Sequence, residues 1–384
     1  MSLRLRTRAG SAPDSSRAPE VCEVSRHEAI VGLAIQAAGE RSRPTGGPGF
    51  DAIIAMLSAW MVIGLYVDGW SHRYVSNLDS FFNPWHAMLY SGLLATVAFL
   101  TITVARNARK GLSWRLALPL GHGKTAVGVA VFAMGGVSDM IWHLLFGFEG
   151  SIDILFSPSH LLIFTGMALT VSGPLRAAWH RPDGTTPLSF LQRLPMLASV
   201  TLLLSVLTFV TMILHPYQNI YASAWLREAP TFDPLKFGSL LKRIVIASVV
   251  IQTVILMSLV LVILKRWRLP FGSLTLILTF NALLLGFLGR RYLFILLACV
   301  TGLASDLLLL LLHPTAGQVW RYRLFAFSVP TLIYAVYFLC LARFMGGVGW
   351  SVHLVAGTVV ASGLIGLLIS YAVFPPELPG SSAL

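Results

Sequence analysis

The chain has 384 residues, 56% hydrophobic and only 11% charged, with a mean hydropathy of +0.75. A soluble chain carries roughly 25% charged residues, so a soluble enzyme is excluded, as is disorder along the whole length; the expected fold is an all-α, polytopic transmembrane helical bundle. The net charge of +12 requires no nucleic acid, because cytoplasmic loops of membrane proteins retain basic residues.

Residues 1–50 hold seven arginines and no lysine among many Ser, Pro and Gly, and read as a disordered, Arg-rich cytoplasmic tail. Apolar runs long enough to span follow at about 52–70, 84–105, 124–146, 156–177, 195–214, 243–264, 271–288, 292–312, 324–344 and 350–374. This gives ten spans, or nine if 271–288 is re-entrant. Arg106, Arg109, Lys110 and Arg115 follow the second span, and Arg176, Arg181 and Arg193 the fourth. The loops after the first and third hold only Arg73. The expectation is a multi-pass protein of the cell membrane, N-terminus cytoplasmic, with those two loops extracytoplasmic. Arg290 and Arg291 then fall outside, against the rule. The chain divides into 51–180, a duplicated hairpin bundle; 181–376, a second helical half; and 377–384, a short tail.

The duplication rests on two pairs of segments. Asp68-Gly-Trp-Ser-His72 matches Asp139-Met-Ile-Trp-His143, both Asp-x-x-x-His near the end of an odd-numbered span. Residues 78–92 and 152–166 then share Asp79/Asp153, Phe82/Phe156, Pro84/Pro158, His86/His160 and Gly92/Gly166. Asp and His four apart share a helix face, and a Pro at a helix start leaves the following His in the first turn. Each hairpin thus offers one carboxylate and two imidazoles. Asp68, His72, His86, Asp139, His143 and His160 are candidate ligands for a transition metal such as copper, iron or zinc. Asp79, Asp153 and Glu149 are expected to orient them from outside the ligand set, and Trp70, Trp85 and Trp142 to wall the site. Ionisable groups within spans are costly and point to function.

In one respect these segments resemble the copper-binding membrane subunit of particulate methane and ammonia monooxygenases, in which an Asp-x-x-x-His precedes a second His by about a dozen residues. Here 13 residues lie between His72 and His86 and 16 between His143 and His160. The resemblance covers only these segments, and this chain carries the motif twice; it implies copper on the same six residues and assigns no family.

Other signals are weaker. Gly302-Leu-Ala-Ser305-Asp306 and Phe327-Ser328-Val-Pro330-Thr331 echo the duplicated segments as a degenerate third copy, with Arg321 and Arg323 as partners for Asp306. His215-Pro216 and His313-Pro314 each end a span, His353 is expected to be satisfied inside the bundle, and His122 and His180 lie in cytoplasmic loops. Gly121-His-Gly123-Lys124-Thr125 lacks the first glycine of a phosphate loop, so no nucleotide is expected. Cys22, Cys299 and Cys340 form no pair. The leading function is an outward-facing His/Asp metalloprotein, redox or oxidase/monooxygenase-like, or a subunit of one. The alternatives are a metal or small-solute transporter, haem ligation, and a non-catalytic assembly subunit. Expected partners are the lipid bilayer and a homo-oligomer or membrane complex.

Overall fold

Within a bilayer, apolar runs of this length satisfy their backbone polar groups only as helices or closed barrels. The computed structural model describes residues 43–44, 46–75, 80–147, 153–181, 189–224, 234–315 and 317–375, with the backbone alone for 153–154 and 234–237. Its helices are α1 (Gly47–Tyr74), α2 (Pro84–Arg109), α3 (Gly123–Phe146), the single turn α4 (Asp153–Phe156), α5 (Pro158–Val171), α6 (Gly173–His180), α7 (Phe190–Val210), α8 (Pro234–Arg266), α9 (Ser273–Gly289), α10 (Leu293–Leu312), α11 (Val319–Phe344) and α12 (Val352–Val373). α5 and α6 form one span, interrupted at Ser172. Among the described residues, nine spans are long and apolar enough to cross a membrane. Exposed Met134, Val137, Ile141 and Leu144 form an apolar stripe on α3, as lipid contact requires.

α9 is the shorter tenth apolar helix, of 17 residues. α1 and α7 run parallel, because Tyr66 meets Ser205 and Gly69 meets Phe209. α9 starts beside Phe190 at the opening of α7, and Arg290, just past its end, lies over the Tyr74 ring at the close of α1. It therefore runs the length of the bundle and does not turn back.

Helix ends differ from the apolar runs where capping decides them. α1 begins at Gly47, inside the stretch read as a tail; residues 1–42 and 377–384 lie outside the described residues. α7 begins at Phe190, because Ser189 and Gln192 form a capping box that starts the helix ahead of Pro195,. Asn83 caps α2 by accepting from Trp85 N and His86 N, and Ser157 caps α5 by accepting from His160 N.

The first two hairpins make matching contacts. Gly64 of α1 lies against the Leu89 backbone of α2, and Gly135 of α3 against the Ile163 backbone of α5. Gly92 meets the Met61 backbone and Gly166 the Phe132 backbone. Thr96 Oγ1 donates to the Gly92 carbonyl and Thr170 Oγ1 to that of Gly166, both at 2.8 Å. Glycine at these crossings lets the backbones touch. The two hairpins pack on α7, and a second apolar cluster joins α7 to α8, α9 and α11.

Candidate metal centre

The last two turns of α1 carry Asp68 and His72, and the first turn of α2 carries His86. His86 Nε2 lies 3.3 Å from Asp68 Oδ1 and 3.4 Å from His72 Nε2, and His72 Nε2 lies 3.9 Å from Asp68 Oδ2. The end of α3 and the start of α5 repeat this. Asp139 Oδ1 lies 3.6 Å from His143 Nε2 and 3.4 Å from His160 Nε2. In each triad the three donor atoms lie within 4.8 Å of one another. Donors around a tetrahedral cation with bonds of about 2.1 Å stand about 3.4 Å apart.

The two triads adjoin. The His72 and His143 rings stack with centroids 6.5 Å apart, and those of His86 and His143 are 6.3 Å apart, against 5.6 Å within the first triad and 6.1 Å within the second. Asp68, His86, Asp139, His143 and His160 are buried, and His72 keeps a little exposure.

The imidazoles are held from behind. His86 Nδ1 donates to the Phe81 carbonyl at 2.7 Å and His143 Nδ1 to the Gly147 carbonyl at 3.1 Å. A carbonyl can only accept, so each Nδ1 carries the proton, and in the neutral ring Nε2 presents its lone pair to the cluster. Gly147 has φ 77°, a left-handed conformation that turns its carbonyl back to the ring,. His160 Nδ1 sits 2.6 Å from Ser157 Oγ. The carboxylates differ in one respect: Ser159 Oγ donates to Asp139 Oδ1 at 3.0 Å, whereas the first hairpin has Trp85 at the corresponding sequence position. Asp68 Oδ1 is buried with no hydrogen-bond donor among the described residues. It faces the lone pair of His86, an arrangement that repels unless a proton or a cation lies between them. No Lys or Arg pairs with Asp68 or Asp139 among the described residues, so two buried carboxylates lack a fixed countercharge.

No protein-family model, no curated protein and no solved structure matches this chain. The likeness to the monooxygenase copper subunit therefore extends no further than the Asp-x-x-x-His segments.

The six candidate ligands come together in two adjoining triads; among the described residues, Asp306, His215 and His313 do not join them. Asp79 and Glu149 lie outside the described residues, as does the side chain of Asp153. Among the described residues, Phe81, Tyr90 and Phe164 place rings on the imidazoles. Of the predicted tryptophans, Trp70 and Trp85 pack on each other. Asp306 accepts from Leu274 N, Thr275 N and Thr275 Oγ1 at 3.0, 2.9 and 2.6 Å. It caps the start of α9 from a neighbouring helix, so its partners are amides and a hydroxyl and not Arg321 or Arg323. Pro330 lies in mid-helix in α11, and among the described residues the echo of the duplicated segments builds no third cluster. His313 closes α10 in a left-handed conformation, φ 44°, and His353 is exposed in the first turn of α12, not satisfied inside. His215 is buried; its Nδ1 accepts from Tyr217 N at 3.1 Å, and burial holds the imidazole down at about 3,.

A buried cluster at the opposite end has no counterpart among the expectations. His122, read as a loop residue, is fully buried, with Nε2 2.8 Å from Asp51 Oδ1; Arg181 pairs with Asp51 Oδ2. One signal was present: Asp51 and His122 are 71 residues apart, the interval that separates Asp68 from Asp139 and His72 from His143. Gly121 and Gly123, the glycines of the phosphate-loop-like segment, flank His122; Gly121 has φ 92° and lies against the Ala177 backbone.

Proposed function

We propose that this chain is an integral membrane metalloprotein in which Asp68, His72 and His86, with Asp139, His143 and His160, hold up to two adjacent transition-metal ions. The observation that carries the reading is the set of Nε2 and carboxylate lone pairs converging without a fixed countercharge, with two of the imidazoles locked by Nδ1–H bonds to carbonyls. Leaving one buried carboxylate uncompensated costs several kcal/mol; a divalent ion in each triad removes that cost. The matching glycine, threonine and capping contacts of the two hairpins support descent from one duplicated unit. The 71-residue interval joins Asp51 to His122 at one end and His72 to His143 at the other, which fits a local two-fold axis along the helices. By the loop charges, the centre faces the extracytoplasmic side of the cell membrane.

Two imidazoles and one carboxylate leave coordination positions open on a transition metal, which suits a redox or oxygenating centre better than a purely structural ion. Transport is less well supported: Met61 and Phe132, both fully buried, fill the interior two turns from Asp68 and Asp139. Metal analysis of the detergent-purified protein is the test. The reading expects up to two copper, iron or zinc ions per chain, lost in a His86→Ala/His160→Ala variant that elutes like the parent. A metal-free parent that binds no added metal overturns it.

A further inference from the structure

A cavity of about 520 Å³ opens beside the donor cluster, within the size range of small-molecule sites. Asp68 and His72 of the first triad and His160 of the second line it together. Its walls are apolar, built from Leu65, Phe164, Phe209, Met212, Ile213 and Ile244. Polar groups return where the lining is exposed: Arg73 is exposed and donates to Gln218 Oε1 at 3.0 Å. Arg73 has no carboxylate partner among the described residues.

A second guanidinium, that of Arg290, belongs to the same end of the bundle. Gln218 packs on Gly289, and Arg290 and Arg291 follow at once. Arg290 lies over the Tyr74 ring, next to Arg73, at 4.1 Å. Neither Arg290 nor Arg291 has a carboxylate partner among the described residues. These are the two bases that break the loop-charge rule, so retention on this face calls for another reason. The cavity thus has a cationic mouth, apolar walls and a donor-lined floor. A ligand with one negative group finds a charged hydrogen-bond donor in Arg73 at the mouth, and its hydrocarbon then covers the apolar walls.

We infer that the cavity binds an amphipathic carboxylate of medium chain length, its head on Arg73 and its hydrocarbon along the Phe209–Ile213 wall towards His72 and His160. This names the substrate class of the proposed metal centre and rests on that reading for its function, although binding is separately measurable. Titration calorimetry of the purified full chain in a non-ionic detergent, with decanoate and decanol as probes, tests it. Decanoate binds at least about tenfold more tightly than decanol, as one charge-assisted contact gives. Arg73→Gln removes that preference and leaves decanol unchanged. Ile213→Trp, which fills the cavity, weakens both, with metal content per chain preserved in each variant. Equal binding of the two probes, or a decanoate affinity indifferent to Arg73→Gln, overturns the inference while leaving the metal reading intact. A metal-free chain that binds no added metal and still prefers decanoate through Arg73 upholds the cavity and overturns the metal reading.

Discussion

At the scale of single residues, the two triads are near copies with one chemical difference, and that difference has a measurable consequence. Ser159 donates to Asp139 Oδ1, while Asp68 Oδ1 has no such donor. Hydrogen bonds from outside the ligand set orient a carboxylate and typically change metal affinity by about ten- to a hundredfold. Ser159→Ala should therefore weaken one of two binding steps by that factor and leave the other unchanged, as read by competition with a chelator of known affinity. A second residue-level prediction concerns pH. The His215 imidazole is held down at about 3 by burial, from 6.5, so the unfolded chain takes up a proton at 6.5 that the folded chain refuses. Its contribution to stability is complete above pH 6.5 and is lost as pH falls towards 3. At pH 5 the loss is about 2 kcal/mol. Thermal unfolding in detergent at pH 7 and pH 5 should show a smaller drop for His215→Gln than for the parent; an equal drop would refute the assignment.

At the scale of elements, the helix pairs are set by glycine crossings. A Cβ on Gly166 would lie 2.4 Å from Phe132 N, whereas one on Gly49, also in a helix, would meet nothing within 4 Å. Gly166→Ala should lower the unfolding midpoint, with a cost of about 1–3 kcal/mol, and loosen the metal site because α3 and α5 carry its second triad. Gly49→Ala should stabilise slightly or do nothing. Much at this scale was legible beforehand. Hydropathy locates the spans because each helix must be apolar for its whole crossing, and Asn83-Pro84 and Ser157-Pro158 mark where the ligand-bearing helices begin. What could not be read depends on elements remote in sequence. Asp306 looks like an intramembrane charge in search of a cation, yet it satisfies the first amides of α9, a helix that precedes it by some thirty residues. His122 looks like a loop residue because only folding brings Asp51 and Arg181 to it.

At the scale of the whole molecule, polar groups collect at the two ends of the paired hairpins, with a glycine-packed apolar middle. The six candidate ligands were legible because a costly pattern occurs twice at nearly one interval. The cavity beside them was not, since its walls come from α1, α5, α7 and α8 together. On the proposed reading one end serves chemistry, and the other, with Asp51, His122 and Arg181, is an ion-paired lock. X-ray absorption at the edge of the proposed metal probes the first end directly. The expected first shell is nitrogen and oxygen at about 2.0–2.2 Å, with the outer-shell scattering of two imidazoles per ion. That scattering should halve in a His72→Ala/His143→Ala variant. A shell without imidazole, or one unchanged in that variant, would contradict the metal reading.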